Sequence, residues 1–177
     1  MDYSQLIGKR RSVRRYQDKS ITREQAEELI RAAQEAPSWK NQQTGRYRFI
    51  ITKETADRVR QECLPQFNAV RSANAALIVT SFVKGNVGFD DKGQPINELG
   101  DGWGCYDLGL QGAYILLKAA DMGLSTLVMG IRDQGRLREL LDIPETEEIG
   151  AVIAVGYADQ SPERPARKEL SEIAEFI

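Results

Sequence analysis

The sequence predicts a single α+β domain over residues 1–177, on three observations. The length is that of one ordinary domain. Apolar residues make up 41% and charged residues 28% of the chain, the balance of a globular protein that buries a core without disulfides or metal. Helical and strand patterns alternate irregularly, without the repeating βαβ rhythm of a doubly wound sheet.

The elements follow in order. A short helix is predicted over residues 3–9, and an extended segment over 10–16. Thr22 with Gln25 three residues later forms a capping box. It opens a helix that runs to about Ala36, with Ala26, Leu29, Ile30, Ala33 and Ala36 on one face, and Pro37 ends it. Residues 46–52 (RYRFIIT) alternate and read as a strand. Residues 53–63 form a helix with a mostly polar surface. Residues 75–82 (AALIVTSF) run apolar without alternation, the mark of a strand buried on both faces.

A loop follows over residues 84–104, with six glycines and several acidic residues. Loops of that length are commonly functional or disordered. The helix predicted over 106–122 carries few polar side chains: Asp107, Gln111, Lys118 and Asp121. A helix apolar around most of its circumference is covered on more than one side, and a subunit interface supplies a second cover. Gly123 caps it. Beyond it lie a short strand (126–131), a helix (135–141) and a strand (149–157). The tail from Ala158 is polar and ends in a predicted short helix, 168–177.

Composition narrows the function. The net charge is -2 and the sequence pI is about 5.4, which argues against a general nucleic-acid binder. Yet Lys9, Arg10, Arg11, Arg14 and Arg15 crowd into seven positions, which suits a small anion. No apolar run reaches the length of a membrane span and the first residues do not read as a signal peptide, so a cytoplasmic location is expected. Cys63 and Cys105 have no CxxC spacing and read as free thiols. There is no histidine, which removes histidine triads, histidine metal sites and the usual general base at neutral pH. For an enzyme, that moves the hard chemistry to a cofactor.

Four short constellations carry candidate chemistry. In an extended Arg10-Arg11-Ser12-Val13-Arg14, positions 10, 12 and 14 face one way, and two guanidinium groups with a hydroxyl suit a phosphate. The same run also reads as a solvated basic end to a helix. The loop Pro37-Ser38-Trp39-Lys40-Asn41-Gln42-Gln43 offers short polar groups for the edge of a heterocycle, or is a plain connection. Met129 and Gly130 end a short apolar strand, where Gly130 lets a backbone approach a ligand closely. Arg167 sits in a basic stretch of the tail. No GxGxxG and no P-loop is present.

Taken in order and spacing, these segments resemble the nitroreductase family of FMN enzymes over almost the whole chain. Arg10, Ser12 and Arg14 match its Arg-x-Ser-x-Arg/Lys segment. Pro37, Ser38, Asn41 and Gln43 match its Pro-Ser-x-x-Asn-x-Gln loop. Gly123, Leu124 and Thr126 match its Gly-Leu-x-(Ser/Thr) after the central helix, and Met129 and Gly130 its strand end beside the flavin. Arg167, Leu170, Glu172 and Ile173 match the C-terminal segment. Two departures are Thr44-Gly45 after Gln43, where the family has Pro-Trp, and Glu169 in place of a tail proline.

The resemblance implies a mixed, mainly antiparallel sheet flanked by helices. It implies a homodimer with the central helix in the interface and the tail, from about residue 158, wrapping the partner. It implies FMN held at the phosphate and ribityl chain by Arg10, Ser12, Arg14 and Arg167, with Arg11 adding contacts. Pro37, Ser38, Trp39 and Asn41 would come from the other subunit, and backbone groups of Met129 and Gly130 would face the ring. The implied activity is hydride transfer from NADH or NADPH through the flavin to an oxidised organic acceptor, such as a nitroaromatic or a quinone, by a ping-pong mechanism. No catalytic side chain, metal, nucleic acid or membrane is implied. Other flavin chemistry on the same scaffold (dehalogenation, ene reduction, flavin fragmentation), a non-catalytic flavin-binding module and a non-flavin anion-binding domain stand as alternatives.

Overall fold

The computed structural model describes residues 2–177. Its elements are α1 (Tyr3–Lys9), α2 (Arg23–Gln34), β1 (Gly45–Ile50), α3 (Lys53–Cys63), α4 (Gln66–Arg71), β2 (Ala76–Val83), α5 (Gly102–Asp121), β3 (Ser125–Met129), α6 (Gln134–Leu141) and β4 (Glu147–Gly156). The four strands form one sheet in the order β1-β2-β4-β3, and every ladder is antiparallel. The parallel component is a single bridge, in which Ser12 of the extended segment pairs with Thr126 on β3. The α+β expectation holds.

Local chemistry explains most boundaries. Thr22 and Gln25 make the reciprocal capping box that opens α2. Gly123 takes a positive φ of 75° immediately after α5, and its N–H closes the last turn on the Ala120 carbonyl. β2 is buried along its centre on both faces, as its unbroken apolar run requires. Leu77 and Val79 join a core with Val59 and Leu137 under α3 and α6. Ile78 joins another with Leu29, Ile115 and Ile153 under α2 and α5. The sheet is therefore sandwiched between two helical layers.

Three expectations are corrected. The tail is not helical over 168–177: it holds one 3-10 turn, Leu170–Glu172, closed by Glu169 and Glu172. A short isolated helix is marginal in water without a surface to pack on. Here Leu170, Ile173 and Phe176 all lie exposed in the single chain. Helix α4 went unpredicted because six residues give no readable period, and its Phe67 and Val70 face solvent. The central helix starts at Gly102, so the end of the glycine-rich loop is its first turn. Glycine is required at position 104, where a Cβ would land on the buried Phe82 ring.

One buried ion pair ties three strands together. Arg48 on β1 donates to both carboxylate oxygens of Glu147 on β4, the Nη2–Oε1 contact being 2.9 Å. Between them Ser81 on β2 donates to Glu147 Oε2 at 2.6 Å and accepts from Arg48 at 2.9 Å. The Glu147 side chain is 7% exposed.

Candidate functional site

The sheet leaves β3 as an edge strand, and the basic N-terminal segment runs beside it. The Val13 N–H donates to the Thr126 carbonyl at 3.0 Å, and Val13 itself is buried in the core. Alternation then puts Ser12 on the opposite side with Arg10 and Arg14, as the sequence spacing predicts. On β3, Leu127 and Met129 point into the α3/α6 core, so Thr126 and Val128 face α5. Val128 is 49% exposed despite its position in a strand.

Between β3 and α5 runs a trough of two neighbouring parts that share one wall residue, Leu116. At one end is a cleft of about 210 Å³ lined by Lys9, Arg10, Arg11, Ser125, Thr126, Leu116 and Gln160. At the other is an apolar hollow of about 400 Å³ lined by Cys105, Leu108, Gly112, Leu116, Val128 and Gly150. The trough is cationic and polar at the N-terminal end of β3 and apolar towards its C-terminal end. Gly130 lies just beyond that end, with open space where a side chain would be. A hollow of about 440 Å³ between α2 and β1 is larger, but none of the singled-out residues lines it.

The cationic groups differ in their commitments. Arg11 folds back to donate to the carbonyls of Gly8 (2.6 Å) and Arg10 (2.9 Å), which closes the end of α1. Arg14 reaches only the Ser12 carbonyl, at 3.4 Å. Arg10 makes no side-chain hydrogen bond or ion pair among the described residues. Arg15 is turned away and pairs with Asp159 through side chain and carbonyl. Met129 is buried, so only its backbone is available to a ligand.

The Pro37–Asn41 stretch sits elsewhere in the same chain, at the N-terminal end of α5. The Trp39 N–H donates to Asp107 Oδ2 at 2.8 Å, and the Trp39 ring meets Trp103 at 4.7 Å between centroids. Trp103 in turn packs on Tyr106, which is 60% exposed. Burial pushes the Asp107 carboxyl up, against the opposing pull of the Trp39 N–H. The turn is tight: Lys40, Asn41 and Gln43 all have positive φ, and Ser38 and Asn41 accept from Gln43. The Trp39 indole N–H is buried without a partner. Asp107 and Leu116 are nine residues apart on α5, about 14 Å along a helix. One chain thus keeps the loop and the basic cleft at opposite ends of α5. Arg167 bonds only to the carbonyls of Pro165 and Ala166, within the exposed tail.

Sequence reading did not single out Asp107 and Gln111 as anchors, although it noted them as polar interruptions of α5. Both are buried: Asp107 holds Trp39, and Gln111 accepts from the Tyr47 hydroxyl at 2.5 Å. A polar residue on an otherwise apolar helix was the available signal. Among the described residues no cluster of acidic or cysteine side chains could hold a metal ion, and no helix is long and apolar enough to cross a membrane.

α5 buries one side in this chain: Gly104, Asp107, Leu108, Gln111, Ile115 and Ala119. On the other side Cys105, Tyr106, Gly109, Ala113 and Tyr114 are exposed.

Known proteins share this fold and sequence pattern. A candidate NADH dehydrogenase/NAD(P)H nitroreductase of Archaeoglobus fulgidus is 27% identical over 156 residues, covering 86% of this chain and 83% of the relative. A protein of the same description from Methanothermobacter thermautotrophicus is 28% identical over 167 residues, covering 92% and 80%. Among solved structures, a candidate nitroreductase from Exiguobacterium sibiricum, crystallised in complex with FMN, superposes with a TM-score of 0.87 at 20% identity, covering 100% of this chain and 98% of that one. The description of the nitroreductase family matches residues 7–157, and the chain belongs to that family.

Proposed function

We propose that this chain is an NAD(P)H-dependent FMN oxidoreductase whose cofactor lies in the trough between β3 and α5. The observation that carries the reading is the polarity of the trough: arginines at one end, an apolar wall in the middle and a bare glycine backbone at the other. That donor set fits FMN from end to end. Arg10, Arg14 and the Ser12 hydroxyl would hold the phosphate, an anion that guanidinium groups bind bidentately. Arg11 adds charge there while capping α1, and Arg167 would close over the same end from the tail. Leu116, Gly112 and Val128 would take one face of the ring system, and Met129 and Gly130 would offer backbone groups to its edge. When bound, the flavin supplies the redox chemistry, taking a hydride from the nicotinamide and passing its electrons on to an acceptor.

The chain's own part is to bind, orient and exclude water. With no histidine, it lacks the usual neutral-pH general base, and the work left to side chains is positional.

A homodimer completes the pocket. Two copies packed across a two-fold axis through the open face of α5 set the helices antiparallel. The N-terminal end of one α5, with its Pro37, Ser38, Trp39 and Asn41, then covers the C-terminal end of the other. The unpartnered Trp39 indole N–H and the exposed apolar tail are accounted for by the same arrangement. The acceptor is an oxidised organic molecule, such as a nitroaromatic or quinone, that stacks where the nicotinamide had been.

The test is spectroscopic. The purified protein should be yellow and release FMN on denaturation. Anaerobic NADH or NADPH should bleach it, and a nitroaromatic or quinone should restore the colour. A protein that binds FMN but does not bleach would be a flavin-binding module instead. One that takes up no flavin would favour a different anion.

A further inference from the structure

Arg132 follows the trough by two residues and has no place in the account above. Its Nη1 donates to the Gly130 carbonyl at 3.1 Å, and its Nη2 donates to the Ile149 carbonyl on β4. The last β3–β4 pair in the ladder is Met129 with Val152, so Arg132 bridges the two strands where pairing has ended. Its Nε is buried without any partner. Among the described residues it forms no ion pair. Glu148, the residue before Ile149, does not pair with it, and Asp133 beside it is committed to capping α6 through the Arg136 N–H.

A half-buried guanidinium that satisfies two carbonyls without forming an ion pair keeps its charge free to act on a neighbouring group. Holding the Gly130 carbonyl commits that oxygen within the chain, while the side of Gly130 where a Cβ would sit is open. The guanidinium also acts on the Cys105 thiol, which lines the apolar hollow: burial first, then Glu148 and Asp101, push that thiol up, while Arg132 pulls it down.

We propose that Arg132 is a positioning residue that fixes the Gly130 turn at the ring end of the trough and, through its uncompensated charge, makes the site prefer reduced over oxidised FMN. This rests on the placement of FMN proposed above. The physical basis is that a fixed cation stabilises the electron-rich state of a bound ring more than the oxidised state, and a site shifts a two-state equilibrium only by its difference in affinity for the two.

The test measures both affinities in the wild type, Arg132→Gln and Arg132→Lys. Oxidised FMN is titrated by fluorescence quenching, and dithionite-reduced FMN anaerobically by ultrafiltration. In Arg132→Gln, affinity for the oxidised form should change by no more than about twofold while that for the reduced form falls about tenfold, the scale of one charge-assisted contact. Arg132→Lys keeps the charge and should retain most of the preference. Equal losses for both forms in Arg132→Gln would show a purely structural clamp and overturn the proposal, as would no change in either. If Arg132→Gln does not fold, the lysine variant decides: a lost preference there contradicts the charge argument. Failure of the wild type to bind either form would overturn the placement of FMN, and this inference with it. A wild type that binds both forms equally would overturn the inference alone.

Discussion

Replacing Arg10 or Arg14 with alanine is expected to weaken FMN binding by about ten- to a hundredfold, or ~1.5–3 kcal/mol for a lost charge-assisted contact. Both side chains flank Ser12, which is pinned to Thr126 at the edge of β3, and neither is consumed by an internal ion pair. Removing them therefore costs the fold little. Arg15 is the control. It is adjacent in sequence but tied to Asp159 on the exposed surface, and Arg15→Ala should change affinity much less. FMN titration of the three variants separates the two sides of the segment. Equal losses at Arg14 and Arg15 would contradict the assigned facing.

Arg48→Met should cost about 3–5 kcal/mol of stability, because it strands the Glu147 carboxylate inside the sheet. Burial raises that carboxyl, but hydrogen bonds from Arg48 and Ser81 and the Arg48 charge outweigh it and hold its pKa below the usual 4.5. The stabilisation is therefore complete above that value and is lost as pH falls through the lower folded pKa. In Arg48→Met the cation is gone, burial dominates, and the carboxyl should protonate readily. The stability gap between variant and wild type should accordingly shrink on acidification, starting above the usual carboxylate range, where the variant's carboxyl takes up its proton, and continuing through the wild type's lower folded pKa. Urea unfolding at neutral and acidic pH measures both effects. A gap that stays constant down to the lowest pH would mean that the pair does not govern the difference.

Much of this was legible in the residues. The Thr22–Gln25 capping box, the unbroken apolar run of β2 and the left-handed Gly123 are local signals, and local signals survive folding. The facing of Arg10, Ser12 and Arg14 came from strand periodicity alone. Four things were not legible. The tail reads as a helix because its pattern is amphipathic, but a helix needs a surface to lie on, and one chain supplies none for Leu170 and Ile173. Helix α4 is too short to show a period, and Pro65 before it was the only mark. The trough was invisible because it is made by β3 and α5 approaching through Leu116 and Val128, neither of which carries a motif. Arg132 was passed over for a related reason: its partners are the carbonyls of Gly130 and Ile149, and a backbone acceptor leaves no signature in a side-chain pattern.

The composite site is tested most directly by counting flavin in mixed dimers. One subunit carries Arg14→Ala, which removes a cation proposed for the phosphate end, and the other carries Asn41→Ala, which spoils the loop. With Arg14 and Asn41 drawn from opposite chains, both lesions fall in one site and the other site is intact. The account predicts that the mixed dimer binds about half the FMN of the wild type, with wild-type affinity at the remaining site, by the arithmetic of a two-fold interface. If both sites of the mixed dimer are impaired alike, the cleft and the loop serve the same chain's cofactor, and the shared site proposed between subunits is wrong.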